Sequence, residues 1–300
     1  MRAFIAIALA SLLAVVGPSS AQMTLTGAGG TKKASAAGCS DTNATAWVNA
    51  VVAASGTVSA PQQTRVCNLI VAAKGHGYWT KLDRMWLLAS ENAAQAKIDI
   101  VNLATTTITG APTFTASQGY SNFTTSDFID TGYLPSSSSV HLTLNSVDIG
   151  YYNRTNRSAS ASVVQFGIID ATVTPTTRLL VASNAFGFDQ ASLNDAGGPS
   201  VASTNAQGLF IGVRDSVSTS EVYKDGNTTP IATGSAASNT LSTSATLFIG
   251  CVNTSTACAF PTTDQIAIAF VGGALTASDT ANLSTDVNGG YMTSLGTNVY

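Results

Sequence analysis

The chain has 300 residues, enough for one large β domain with an appendage or for two ordinary domains. Only 10% are charged, against about 25% in an average soluble domain, and the net charge is -3. Its basic residues are scattered without a run, which leaves no electrostatic footprint for nucleic acid or anionic lipid and excludes both as partners.

Residues 1–22 have the layout of a secretory signal peptide. Arg2 supplies a positive start, Ala3 to Val16 is apolar or small, and Ala21 precedes the expected cleavage point. The apolar run is shorter than the ~20 residues a helical span needs, and no other stretch is long enough. The expectation is a secreted, periplasmic or cell-surface protein with no membrane span after cleavage. Residues 23–40, rich in Gly, Ala, Thr and Ser, read as a linker.

Residues 41–104 read as a helical N-terminal segment. Asp41 or Thr42 can cap a helix carrying Trp47, Val48, Val51 and Val52 as far as Gly56. A second helix starts at Pro61, buries Val66, Leu69, Ile70 and Ala73, and stops at Gly75. A short strand follows at Met85 to Leu88, then a helix capped by Ser90 with Ala94, Ile98 and Val101 inward. Trp47, Trp79 and Trp86 either form a sugar-stacking platform or pin the helices to a sheet; their apolar helical settings favour pinning.

From residue 105 to 300 short β-rich runs recur at intervals of about ten residues. They include DFIDTGYL, SVHLTLNSVDIGYY, ASVVQFGIID, TRLLVAS, GLFIGVRD, SEVYKDG, ATLFIG and DQIAIAFVGG. Val140, Leu142 and Leu144 alternate with His141, Thr143 and Asn145, the pattern of a strand with one wet face. Asp225-Gly226 marks a hairpin. Thr276 caps a last helix from about Ala277 to Leu295, docked through Leu283, Val287 and Met292. The expected fold is mainly β, a two-sheet antiparallel jelly-roll sandwich with a short helical lead and a C-terminal helix.

Four cysteines suit an oxidising compartment. Cys251 and Cys258 flank the polar loop VNTSTA, whose base a disulfide would clamp; Cys39 and Cys67 would then tie the lead to the second helix. Three connectivities exist for four cysteines. A zinc site competes, but no C-x-x-C pair is present and the chain has only two histidines.

The order of a Tyr-Lys-Asp-Gly hairpin, a strand ending Phe-Ile-Gly, a polar loop and the closing run IAIAFVGGALTASDTANL resembles the concanavalin A-like lectin/glucanase fold, in its laminin-G-like branch. SQGYSNFTTSDFIDTGYLP and WTKLDRMWLLASENAAQAKIDIVN resemble segments of bacterial and prophage tail-type proteins. The resemblance implies lectins, carbohydrate-binding and adhesive modules, and some glycanases and lyases. Retaining glycanases of that fold pair two carboxylates about 5 Å apart. Here there are two glutamates, Glu91 and Glu221: Glu91 has no carboxylate two or four positions away, and Glu221 has only Asp225, which belongs to the hairpin turn.

No catalytic residue, cofactor or metal is therefore expected. Calcium, which the laminin-G-like resemblance implies, would fall to Asp189, Asp195 and Asp215, isolated acids near loops. His76 reads as a solvated helix end and His141 as an exposed sheet residue. A glycan site is sought in Tyr152, Asn153, Arg154, Phe186, Asp189 and Arg214, where aromatic faces and hydrogen-bonding groups occur together. The function expected is an exported, non-catalytic module for carbohydrate or a surface partner. A phage tail or virion structural protein, with an oligomer and a virion location, is the alternative, and a glycan-active enzyme the second.

Overall fold

The computed structural model describes residues 39–157, 161–174, 176–185, 187–255 and 257–300. The expected signal peptide, nearly all of the expected linker and Phe186 lie outside the described residues. Helix α1 (Thr42–Ala53) is capped by the Asp41 carboxylate, which accepts from the amides of Asn43 and Ala44. Helix α2 (Ala60–His76) is capped by Ser59 and ends at Gly77, whose φ of 86° is left-handed. The expected stop at Gly75 is one residue pair early, because the residue that must leave right-handed space is Gly77.

Strand β1 (Leu82–Leu87) follows, and the helix expected after Ser90 is reduced to α3 (Ala93–Ala96), capped by Asn92. Next come β2 (Thr107–Thr109), β3 (Thr113–Thr115), β4 (Gly119–Ser121), β5 (Phe128–Asp130) and the short α4 (Pro135–Ser138). The long strands are β6 (Val147–Asn153), β7 (Phe166–Asp170), β8 (Thr177–Ala185) and β9 (Phe188–Asp195). After β10 (Ser200–Ala202) come β11 (Gly208–Arg214), β12 (Ser220–Lys224) and β13 (Ala232–Gly234). The chain closes with β14 (Phe248–Ile249), β15 (Val252–Asn253), β16 (Cys258–Ala259), β17 (Ile266–Gly272) and α5 (Ala277–Ser284). A π-helical segment, Thr285–Met292, continues α5.

Among the described residues the strands form two sheets, antiparallel throughout except where β15 runs beside β7. The first has the order β13-β12-β11-β6-β17-β4-β3, with β1 also against β17; the second has the order β10-β9-β8-β7-β14-β5-β2, extended by β15 and β16. Two apolar layers result. Between the sheets lie Trp86, Ile149, Tyr151 and Val271 from the first, facing Phe166, Ile168, Val181 and Leu193 from the second. On the other face of the first sheet, Tyr152, Ile211 and Phe270 pack against Trp47, Val51, Ile70, Leu283 and Met292 of the helices. That sheet is thus covered on both faces, which is why β11 and β17 are nearly unbroken apolar runs.

This packing bears on several expectations. The short strand expected at Met85 to Leu88 is β1, which starts three residues earlier and joins the first sheet, where Met85 pairs with Phe270 of β17. The alternating run around His141 forms no long strand, because the Asp83 carboxylate accepts the amides of Val140, His141 and Leu142 and holds them as a loop. Trp47 and Trp86 are fully buried, and Trp47 Nε1 donates to the Ile98 carbonyl, so these two pin layers and form no platform. The hairpin turn holds: Asp225 and Gly226 both have positive φ, 54° and 80°. Thr276 and Asp279 form a reciprocal capping box at α5. Both disulfides are as expected, Cys39 to Cys67 and Cys251 to Cys258.

Candidate functional site

Of the six residues sought as a ligand site, Phe186 lies outside the described residues and the other five form no common surface. Tyr152 is fully buried under the helices, its hydroxyl donating to Asn288 and accepting from the Val299 amide. Asn153, one position on, faces the sandwich end and donates to the Ala206 carbonyl and Asp264. Arg154 is half-buried and spends its donors on Gln118, Gln265 and the Thr297 carbonyl. Asp189 is buried, 3.9 Å from Lys224 Nζ. Arg214 has no exposed surface and forms a 2.6 Å ion pair with Asp195, while also donating to the carbonyls of Leu193, Val217 and Ala236. Strand alternation sends these groups to separate interior layers, and burial then forces each to find an internal partner.

The residues expected for calcium or base chemistry are similarly engaged or apart. Asp195 is consumed by Arg214, Asp215 is exposed at the end of β11, and no cluster of three or more His, Cys, Asp or Glu fit for a metal occurs among the described residues. His76 Nδ1 lies 2.9 Å from Asp286 Oδ2, which also accepts from Tyr78; the residue is a tether between α2 and the π-helical segment. Glu91 accepts from Ser59 and Gln95, and Glu221 from Tyr223, in separate local networks.

A different place gathers surface chemistry: a depression of about 390 Å³ on the outer face of the second sheet. In β5 the period of two sends Ile129 into the core and both Phe128 and Asp130 outward. In β14 the same rule sends Ile249 inward and Phe248 outward, directly opposite Asp130. The rings of Phe128 and Phe248 stack with centroids 4.4 Å apart and planes at 21°, on a small apolar base that includes Cys251 and Cys258. Gly250, at a φ of 94°, lets the chain turn from β14 into the disulfide loop; a Cβ there would lie 2.2 Å from the Phe123 ring.

The remaining walls are polar. Asp130 Oδ1 accepts from Thr246 Oγ1 at 2.7 Å and from the Gly132 amide at 2.9 Å, while its Oδ2 takes no hydrogen bond from the described residues. Asn253 Nδ2 donates to the Thr246 carbonyl and its Oδ1 accepts from the Ser255 amide. Behind the wall, buried Asp170 at the end of β7 accepts from Thr172, Ser242, Ser244 and Ser255 hydroxyls and from the amides of Thr172, Thr243 and Ser244. Burial would raise its pKa, but the hydrogen bonds led by Thr172 and Ser242 outweigh this and hold it well below the usual carboxylate range. Two of those donors, Ser244 and Ser255, line the depression, so Asp170 fixes where they sit. Sequence reasoning missed this site. Its one visible signal was the outward pair Phe128 and Asp130 in the quoted Asp-Phe-Ile-Asp run.

No family model matches the sequence, and no curated protein matches it. Solved structures similar to this chain include a Trypanosoma rangeli sialidase mutant displaying trans-sialidase activity, at 10% identity and a TM-score of 0.46 over 75% of this chain and 39% of that one. A mutant of HCR/D gives 11% identity and a TM-score of 0.45 over 69% of this chain and 52% of that one. Domain 4 of AbnA, a GH43 extracellular arabinanase from Geobacillus stearothermophilus, in complex with arabinotriose, gives 14%, 0.34, 68% and 98% respectively. The chain thus spans about two fifths of the sialidase and about half of HCR/D.

Proposed function

We propose that this chain is an exported, non-catalytic carbohydrate-recognition module whose site is the depression between β5, β14 and the disulfide loop. The observation that carries the reading is the stacked Phe128 and Phe248 pair set among hydroxyl, amide and carboxylate walls. A sugar ring has an apolar face of C–H groups and a rim of hydroxyls. Phe128, only partly buried, supplies ring surface for the first, and Asp130 and Ser244 supply partners for the second. The walls are held by internal hydrogen bonds before a ligand arrives, which lowers the ordering cost of binding.

The non-catalytic part rests on the acids. Glycoside hydrolysis of the usual kind needs two available carboxyl groups across one bond. Here Asp130 faces the depression, whereas Asp170 is buried and saturated by donors. Export is supported by the paired cysteines, and no helix among the described residues is long and apolar enough to cross a membrane. The laminin-G-like branch and the tail-type relatives are part of this proposal and rest on the sequence motifs alone.

A glycan-array screen followed by calorimetry on the chain tests the reading. Binding is expected in the micromolar to millimolar range, roughly -8 to -4 kcal/mol. Phe128→Ala should weaken it at least tenfold while circular dichroism stays unchanged. A blank array, or Phe128→Ala binding as well as wild type, overturns it.

A further inference from the structure

We infer that the same depression selects uncharged glycans and rejects acidic ones, with Asp130 as the residue that discriminates; the inference rests on the recognition reading above. Three observations carry it. First, the described residues lining the depression include one acid and no lysine, arginine or histidine. A uronate, sialate or sulfate group would enter with no cation to receive it, and acidic-sugar sites depend on such cations because a desolvated anion needs charge-assisted donors.

Second, Asp130 lines the space with its Oδ1 held by Thr246 and Gly132 and its Oδ2 free of hydrogen bonds from the described residues, so the carboxylate is fixed in place and cannot rotate away without losing both donors. An acceptor of that kind suits a sugar hydroxyl and repels an anion. Third, three of the four hydroxyls that line the depression among the described residues are already committed, Thr125 being the exception. Ser244 and Ser255 direct their protons at Asp170, and Thr246 directs its proton at Asp130. Toward a ligand these three oxygens are acceptors, so this part of the wall meets the O–H groups of a neutral sugar, and Thr125 alone is left to donate a side-chain hydroxyl to a carboxylate. Asp170, buried behind them, adds negative potential from the same side.

The test uses the full chain and matched ligand pairs: a neutral oligosaccharide that binds, and the same oligosaccharide carrying a uronate or sulfate on one ring. The acidic member should bind at least tenfold more weakly at low salt. That gap should narrow as ionic strength rises, because Asp130 is partly exposed and screening lengths shrink to about 10 Å at 0.1 M. In Asp130→Asn, whose amide oxygen can keep the Thr246 and Gly132 contacts, the ratio of neutral to acidic affinity should fall most of the way to one, whatever the change in neutral affinity itself. Equal affinity of the wild-type chain for both members overturns the selectivity while leaving recognition standing, as does an unchanged gap in a folded Asp130→Asn. The salt series needs no variant, and a gap insensitive to salt counts against the inference. Failure of every neutral glycan to bind removes recognition and selectivity together.

Discussion

Asp148 shows how a single buried acid can set the pH response of the fold. It lies on β6 with no exposed surface, and neither carboxylate oxygen has a hydrogen-bond partner outside its own residue. Burial first, and the neighbouring Asp83 charge second, push its pKa well above the usual value; Lys81 opposes this, and Asp279 adds to it. Because the folded pKa is raised, the unfolded chain sheds this proton first as pH climbs past about 4, and stability falls until the folded pKa is passed. Asp148→Asn removes that loss. It should be more stable than wild type at pH 7 by about 1–3 kcal/mol, with the difference vanishing below about pH 4. Urea titrations at the two pH values measure it, and a destabilised variant at neutral pH would contradict the account.

At the scale of elements, the strands were readable where both faces of the first sheet are covered, because continuous apolar runs such as Gly208–Arg214 and Ile266–Gly272 admit few other readings. Helix boundaries were readable where a cap is local, as at Asp41 and Thr276. What escaped depended on partners remote in sequence. The loop at Val140 to Leu142 follows from Asp83, and the site follows from Phe128 meeting Phe248. Arg214 belongs to the same class. Its position at the end of β11 suggested a ligand contact, yet β9 brings Asp195 to it inside the sandwich. Arg214→Met leaves that carboxylate buried alone and should cost about 3–5 kcal/mol. Adding Asp195→Leu should recover most of the loss, since a charged pair replaced by apolar groups of similar volume is often near neutral. Thermal melts of the two variants decide this; a double variant no more stable than the single would refute the pairing as the cause.

Across the whole molecule the two disulfides have different consequences, because they close loops of different length at different places. Cys39 to Cys67 spans 28 residues and ties the start of the described chain to α2, whereas Cys251 to Cys258 spans 7 and clamps a loop that walls the depression. Loop-closure entropy assigns roughly 3.5 kcal/mol to the first and roughly 2.5 kcal/mol to the second. The larger consequence of the second is local. Asn253 and Ser255 lie inside the clamp, and their contacts with Thr246 and Asp170 hold the polar wall beside Phe248. Replacing Cys251 and Cys258 by serine should therefore lower glycan affinity several-fold with a modest fall in melting temperature. Replacing Cys39 and Cys67 should lower the melting temperature further and leave affinity in the surviving folded fraction unchanged. Paired calorimetric and melting measurements on the two variants separate these effects. The opposite assignment, affinity lost with Cys39 and Cys67 and kept without Cys251 and Cys258, would place the binding surface away from the disulfide loop.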